Sequence, residues 1–399
     1  MNPKRVLFVD DEPYVLQGLE NLLRKHRQRW EMVFALGSDT ALAALERASF
    51  DVIVSDMRMP GMDGAALLQI VQRQSPATIR IVLSGHADRD GVMRSLPVAH
   101  QFLSKPCEAA DLYAVIERAG ALHTLLDSER LRRAVGRIDA LPSAPDAYWA
   151  LTRAMLQANV SAQDIAGIVE QDPAMSAKVL QLINSAYFSL AHETTSIHSA
   201  VTYLGLDLLK GLALTSQVFA LAERQPAGLS LEAVQRRSLI SARIAKRCVV
   251  DPALAEEAFT IGIVHDIGHI ILALAFPREY ATVTAAAHHS GVPSHHTEKA
   301  VFGVSHTEAG AYLLGIWGLP FRIVETVAYH HAPSLMSEGS VEMLAAVHVA
   351  GAFVDGETSD APAALDLPFL RSAGLVDELP KWRDIANEEL AKPQEWSHG

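Results

Sequence analysis

The stretch Val52-Ile53-Val54-Ser55-Asp56-Met57-Arg58-Met59-Pro60-Gly61-Met62-Asp63-Gly64 decides how the first third of the chain folds. Its opening aliphatic run is short and β-branched, which reads as a buried strand. Pro60-Gly61 and Asp63-Gly64 then supply a tight turn and a helix start. That order leaves Asp56 where the strand gives out, on an exposed loop rim. Further strand candidates are Arg5–Val9, Met32–Leu36, Ile79–Ser84 and Gln101–Leu103, with amphipathic stretches of helical length between them. Five such βα repeats in about 120 residues imply an α/β doubly wound, parallel five-stranded sheet with helices on both faces.

In a sheet of this kind chemistry collects at the carboxyl ends of the strands. Five polar residues fall there: Asp10 and Asp11, Asp56, Ser84 and Lys105. Three crowded carboxylates raise one another's pKa unless a cation neutralises them, and an all-oxygen cluster suits Mg²⁺. With the metal and a lysine neutralising phosphoryl oxygens, one carboxylate becomes a competent nucleophile toward phosphorus. Asp56 is the candidate.

Residues 4 to about 122 resemble the receiver domains of two-component response regulators. The resemblance rests on Asp10-Asp11-Glu12-Pro13, on Asp56 followed by Met59-Pro60-Gly61-Met62-Asp63-Gly64, on Ser84-Gly85, and on Phe102-Leu103-Ser104-Lys105-Pro106. It implies a flavodoxin-like fold in which Asp56 accepts phosphate from a sensor histidine kinase. It further implies that Asp11, Asp56 and the Arg58 carbonyl bind Mg²⁺ directly, with Asp10 helping to hold it. Ser84 and Lys105 would grip the phosphoryl group, and Phe102 would swing inward on activation.

After residue 106 the strand signals stop. A stripe of Leu112, Val115, Ala119, Leu122 and Leu126 runs through 109–136, at a spacing that suits a helix pair, including a homodimer contact, or packing on its own domain. Leu141-Pro-Ser-Ala-Pro145 breaks helix periodicity and marks a domain boundary. Beyond it the sequence reads as all-α, with helices around 147–158, 162–170, 173–185, 196–222, 231–249, 253–274 and 306–316. The expected organisation is a receiver over 1–122, a helical linker over 123–137, a helical domain over 138–355 and a helical extension over 356–399 that packs on it.

Seventeen histidines cluster in this half, at His265 and His269, His288-His289, His295-His296, His306 and His330-His331. Histidine beside aspartate, with more histidines on later helices, is what metal-dependent phosphoester hydrolysis needs. A lone buried histidine is more often a hydrogen-bonded core residue. Residues 138–355 resemble the HDOD domains, non-standard relatives of the HD phosphohydrolases. The matching segments are Asp172-Pro173-Ala174, Asn184-Ser185-Ala186, Leu204-Gly205, Gly262 to Gly268 around His265-Asp266, His306-Thr307-Glu308-Ala309-Gly310, Trp317-Gly318-Leu319-Pro320 and His330-His331. An active HD hydrolase also needs an earlier histidine and a late aspartate. Those positions fall on Arg237 and Gly351, and neither side chain can ligate a metal.

His265, Asp266, His306, His330 and His331 therefore stand as a partial cluster, with Asp266 expected to pair with Arg237 in place of metal. Two functions follow from this: a phosphorylation-switched adaptor whose HDOD module binds signalling partners, or a receiver-gated phosphodiesterase acting on a substrate such as cyclic di-GMP. Composition narrows the rest. Apolar residues make up 49% of the chain and charged residues 20%, enough to bury real cores. A net charge of −12 disfavours nucleic acid, and the basic runs at 130–133 and 236–247 read as solvated helix faces. Two cysteines at unrelated spacing fit a reducing cytoplasm, and the apolar run 259–276, interrupted by His265, Asp266 and His269, reads as a buried helix rather than a membrane span.

Overall fold

The computed structural model describes residues 3–392 apart from 86–90, 92–93, 126–127, 139–140, 158, 186–187, 189–192, 207–208, 210–218, 222–227, 291, 337–340 and 359–364. Strands β1 (Lys4–Asp10), β2 (Trp30–Leu36), β3 (Val52–Asp56), β4 (Ile79–Gly85) and β5 (Gln101–Lys105) form one sheet in the order β2-β1-β3-β4-β5. Every pairing is parallel. Helices α1 (Pro13–Leu22), α2 (Gly37–Arg47), α3 (Gly64–Gln74) and α4 (Ala109–Leu125) accompany the sheet. Aliphatic side chains such as Leu7, Val54 and Ile81 are fully buried, as a sheet covered on both faces requires. The strands run a residue or two beyond the sequence expectation. Asp10, Asp56 and Lys105 are consequently the last residues of strands, not the first of loops.

The segment after the sheet is two helices. α4 stops at Leu125, and α5 (Glu129–Gly136) starts afresh where Ser128 accepts from the Leu131 amide. Leu112 of the expected stripe is buried and Val115 half-buried; the side chains of Ala119, Leu122 and Leu126 lie outside the described residues.

The second half is helical with one exception that the sequence reading missed. β6 (Leu141–Ser143) pairs in parallel with β7 (Phe219–Leu221), so the expected helix over 196–222 is not continuous. Among its elements are α6 (Pro145–Leu156), α7 (Ala162–Val169), α8 (Pro173–Ile183) and α9 (Ile197–Leu204), which stops where Gly205 takes a φ of 77°. They continue with α10 (Leu231–Cys248), α11 (Pro252–Val264), α12 (Ile267–Ala275), α13 (Pro277–Ser290), α14 (Ser294–Phe302), α15 (His306–Ile316) and α16 (Phe321–Tyr329). The last are α17 (Val341–Thr358), α18 (Leu367–Ser372) and α19 (Leu379–Ala391), which packs on α10 and α17. The expected helix over 253–274 breaks at His265-Asp266 into α11 and α12. Pro252–Ala275 is the one described stretch long and apolar enough to cross a membrane, and it is mostly buried inside the fold.

The two halves meet along the β5 edge of the sheet. Gln101 of β5 donates to the Ile316 carbonyl at 3.0 Å, while Gln181 of α8 donates to the His100 carbonyl at 2.9 Å. Lys178 is buried there too, donating to the Leu96 carbonyl at 3.1 Å and lying 4.6 Å from the Trp317 ring centre. The linker is riveted by Arg80, a fully buried cation on β4 that donates to the Gly136 carbonyl at 2.9 Å. A guanidinium at that helix end meets carbonyls left without intrahelical partners.

Candidate functional site

The turn after β3 shapes the receiver pocket. Gly61 takes a φ of 79°, a left-handed turn that glycine adopts without steric cost, and Asp63 accepts from the Ala66 amide at 2.9 Å to start α3. Gly64 passes so close to β3 that an added Cβ would lie 2.1 Å from the Asp56 carbonyl oxygen. The expectation of an exposed Asp56 is corrected. The residue is buried, with Oδ2 accepting from the Arg58 amide at 2.9 Å and Lys105 closing over Oδ1.

Lys105 lies between two carboxylates, 2.7 Å from Asp10 Oδ2 and in direct contact with Asp56. Asp10 is itself buried, and its Oδ1 accepts from the Glu12 amide at 2.9 Å. Burial pushes the Asp56 carboxyl above its ordinary value, against the downward pull of Lys105. Burial lowers the Lys105 pKa, but contact with Asp10 and Asp56 raises it by more, so the ammonium stays charged. Asp11 follows at the end of β1, half-buried.

Among the described residues, Asp10, Asp11 and Asp56 do not form a group whose ligand atoms all lie within 4.8 Å of one another. Their chemistry nonetheless fits Mg²⁺: three carboxylates against one ammonium leave a local charge of about −2 on hard oxygen donors. Ser84 on β4 is one register step beyond the partner of Asp56, and its buried hydroxyl has no hydrogen-bond partner among the described residues. Phe102 on β5 is fully buried, so its ring already faces inward.

The second cluster forms where four helix ends converge. His265 and Asp266 fill the break between α11 and α12, His306 opens α15, and His330 and His331 follow α16. The two oxygens of Asp266 have different surroundings. Oδ2 accepts from Arg237 at 2.9 Å and lies 3.5 Å from His265 Nε2. Oδ1 faces His306 Nε2 at 3.6 Å and His330 Nε2 at 3.7 Å. The expected Arg237–Asp266 pair is therefore present, and Arg237 belongs to a part-buried ion pair, not to a solvated face. Gly351 is in place beside it, since a Cβ there would come 3.8 Å from His265 Nε2.

Two acidic residues escaped the sequence reading. Glu298 of α14 is buried and receives the His306 amide and His306 Nδ1, both at 2.7 Å. It also lies 3.3 Å from His269 Nδ1, and that atom contacts the Tyr280 hydroxyl at 2.9 Å. Asp355 sits one turn beyond Gly351 on α17 and pairs with Arg237 at 2.7 Å. A late aspartate thus exists, but it serves the guanidinium. Burial alone would raise Asp266 and Glu298; the neighbouring His265 and Arg237 for the first, and His306 and His269 for the second, hold both well below the usual carboxylate range. Burial lowers His265 to about 4 and also lowers His306 and His331, so these rings stay neutral near pH 7. His269 is raised, because Glu298 outweighs its burial. His295 stacks on His331 at 4.4 Å, and the side chains of His288 and His289 lie outside the described residues.

Family models match both halves. The response regulator receiver domain matches residues 6–117, and the HDOD domain matches residues 141–333. The chain is a receiver–HDOD protein. Its kind of function is accordingly that of a response regulator. An uncharacterised protein of Treponema pallidum (strain Nichols) is 28% identical over 56% of this chain and 44% of its own length. The transcriptional regulatory protein GlrR of Escherichia coli (strain K12) is 32% identical over 33% of this chain and 30% of its own. The chain thus spans less than half the length of these curated relatives. A solved virulence factor (cj0248) from Campylobacter jejuni subsp. jejuni shares the fold, with 20% identity and a TM-score of 0.51 over 67% of this chain and 99% of that one.

Proposed function

We propose that Asp56 accepts a phosphoryl group from a sensor histidine kinase and that the modified receiver switches an HDOD module that binds signalling partners without hydrolysing a substrate. The observation that carries this reading is the pocket around Asp56, where a charged Lys105 touches the carboxylate and the buried Ser84 hydroxyl has, among the described residues, no partner to give up. A carboxylate oxygen of Asp56 attacks phosphorus, the bond to the donor nitrogen breaks, and the donor imidazole leaves. Lys105 and Ser84 then contact the new phosphoryl oxygens. Mg²⁺, held by Asp11, Asp56 and the Arg58 carbonyl with Asp10 beside them, supplies charge neutralisation when bound.

Transmission runs along β5. Lys105 ends this strand at the pocket, and Gln101 begins it at the helical domain, about 13 Å away at strand spacing. Loss of the Lys105 contacts to Asp10 and Asp56 on phosphorylation would shift a strand that the HDOD half grips directly. The outer face of α4 is the surface for a second protomer, and the cytoplasm is where kinase and regulator would meet. The adaptor reading is preferred to the phosphodiesterase reading because Arg237 occupies Asp266 Oδ2 and Gly351 offers no ligand. The test is exposure of the full chain to a small phosphodonor with Mg²⁺. Wild type should gain one acid-stable, base-labile phosphoryl group and Asp56→Asn none; equal labelling of the variant would place the nucleophile elsewhere.

A further inference from the structure

We infer that Asp266, His306, His330 and His331 bind one divalent transition-metal ion of the zinc class, which cross-links three segments of the helical half. One ligand atom from each of the four lies within 4.8 Å of every other. A tetrahedral zinc with bonds of about 2.05 Å sets its ligand atoms about 3.3 Å apart. His306 Nε2 and His331 Nε2 are 3.2 Å apart, and Asp266 Oδ1 is 3.6 Å from His306 Nε2 and 3.7 Å from His330 Nε2. The remaining separations are each within 4.8 Å, so closing all four atoms onto one ion takes approaches of at most about 1.5 Å per pair.

The hydrogen-bond directions point the same way. His306 Nδ1 faces the Glu298 carboxylate at 2.7 Å and His330 Nδ1 the Val327 carbonyl at 2.9 Å; both partners are acceptors. Each Nδ1 therefore carries the hydrogen, and each Nε2 presents a lone pair to the interior. Among the described residues, His330 Nε2 is buried and has no hydrogen-bond partner, although a carboxylate oxygen faces it at 3.7 Å. Two imidazole lone pairs and a carboxylate oxygen converge here, and His331 Nε2, 3.2 Å from His306 Nε2, completes the group as a ligand once it sheds or relocates its proton, as a cation would require. Outer contacts of this sort, carboxylate or carbonyl behind each imidazole, are what orients histidine ligands at metal centres. Arg237, on the other oxygen of Asp266, fixes that carboxylate to offer Oδ1 alone.

This ligand set differs from the one a hydrolase would need, since positions 237 and 351 play no part. Four protein ligands leave no open position for water, so the ion would hold α12, α15 and α16 together without activating a nucleophile. Three imidazoles and one carboxylate favour Zn²⁺ or Co²⁺ over Mg²⁺.

The full chain, purified without chelator, should contain about one zinc by plasma mass spectrometry. Wild type stripped with dipicolinate should, on titration with Co²⁺, develop the intense visible bands of four-coordinate cobalt and regain thermal stability. His330→Ala and His331→Ala should abolish the bands, Glu298→Gln should weaken binding about 10- to 100-fold, and the exposed His198→Ala should match wild type. Weak six-coordinate bands in wild type, or undiminished tetrahedral binding in the His330→Ala/His331→Ala double variant, would overturn the site. If the alanine variants do not fold, the cobalt spectrum of stripped wild type decides by itself.

Discussion

The receiver pocket and the histidine cluster both bury carboxylates, but they neutralise them in different ways. Asp10 and Asp56 share one lysine on a flexible stem, 30% exposed at its side chain, and the neighbouring Ser84 hydroxyl has no partner among the described residues. Asp266 and Glu298 are enclosed by imidazoles and a guanidinium drawn from several helices, with almost no access to solvent. The first arrangement can exchange its cation contact for a phosphoryl group. The second holds its carboxylates with fixed partners from several helices, and removing one of those partners leaves a buried charge uncompensated.

The sharpest way to break this contrast is to look for chemistry in both places. The full chain should be labelled at Asp56 yet show no turnover of cyclic di-GMP with Mg²⁺, Mn²⁺ or Fe²⁺. Turnover that His265→Ala or Asp266→Ala abolishes would reverse the assignment of roles. The double variant Arg237→His/Gly351→Asp frees Asp266 Oδ2 and places a carboxyl at a position whose Cβ meets only His265 Nε2, at 3.8 Å. It should bind additional metal in equilibrium dialysis.

The two clusters were unequally legible in the sequence. The receiver residues sit at strand ends within short motifs, so strand periodicity placed Asp10, Asp56, Ser84 and Lys105 together before any geometry was known. What strand reading missed was burial, because it depends on Lys105 folding back across two strands. In the helical half, His265 and Asp266 were visible as neighbours, and the pairing of Asp266 with Arg237 followed from the absence of a ligand at position 237. Glu298 carried no signal: it lies on its own helix, and only the tertiary approach of α14 to α15 gives it His306. The β6–β7 pairing was equally hidden, since two three-residue strands some 75 residues apart have no periodicity to read.

A second experiment asks whether the clusters stand independently. An added Cβ at Gly268 would lie 1.8 Å from the His306 carbonyl oxygen, so Gly268→Ala must push α12 away from α15. We expect a loss of about 3 kcal/mol in the helical half by chemical denaturation, with phosphodonor labelling of Asp56 retained. Lost labelling would mean that the receiver pocket depends on the histidine cluster.

The smallest expected effect concerns an ion pair outside both clusters. Glu389 of α19 meets Arg247 and Lys392, each at 2.7 Å. Burial raises its carboxyl, but the two cations together lower it below the usual glutamate value. A depressed folded pKa gives stability that is present above the unfolded value of about 4.3 and is lost as pH falls through the folded value. The gap in melting temperature between wild type and Glu389→Gln should thus be constant near neutrality and close below about pH 4. A gap independent of pH would show that the ion pair does not anchor α19.

If chemistry at Asp56 reaches the HDOD half through β5, hydrogen exchange will register it where the halves meet. Phosphorylated wild type should exchange faster than the unmodified protein at residues 94–101, 178–183 and 313–318, where Gln101, Lys178 and Gln181 bridge the halves. Asp56→Asn treated with the same phosphodonor should show no change. Identical exchange in phosphorylated and unmodified wild type across all three segments would contradict the account.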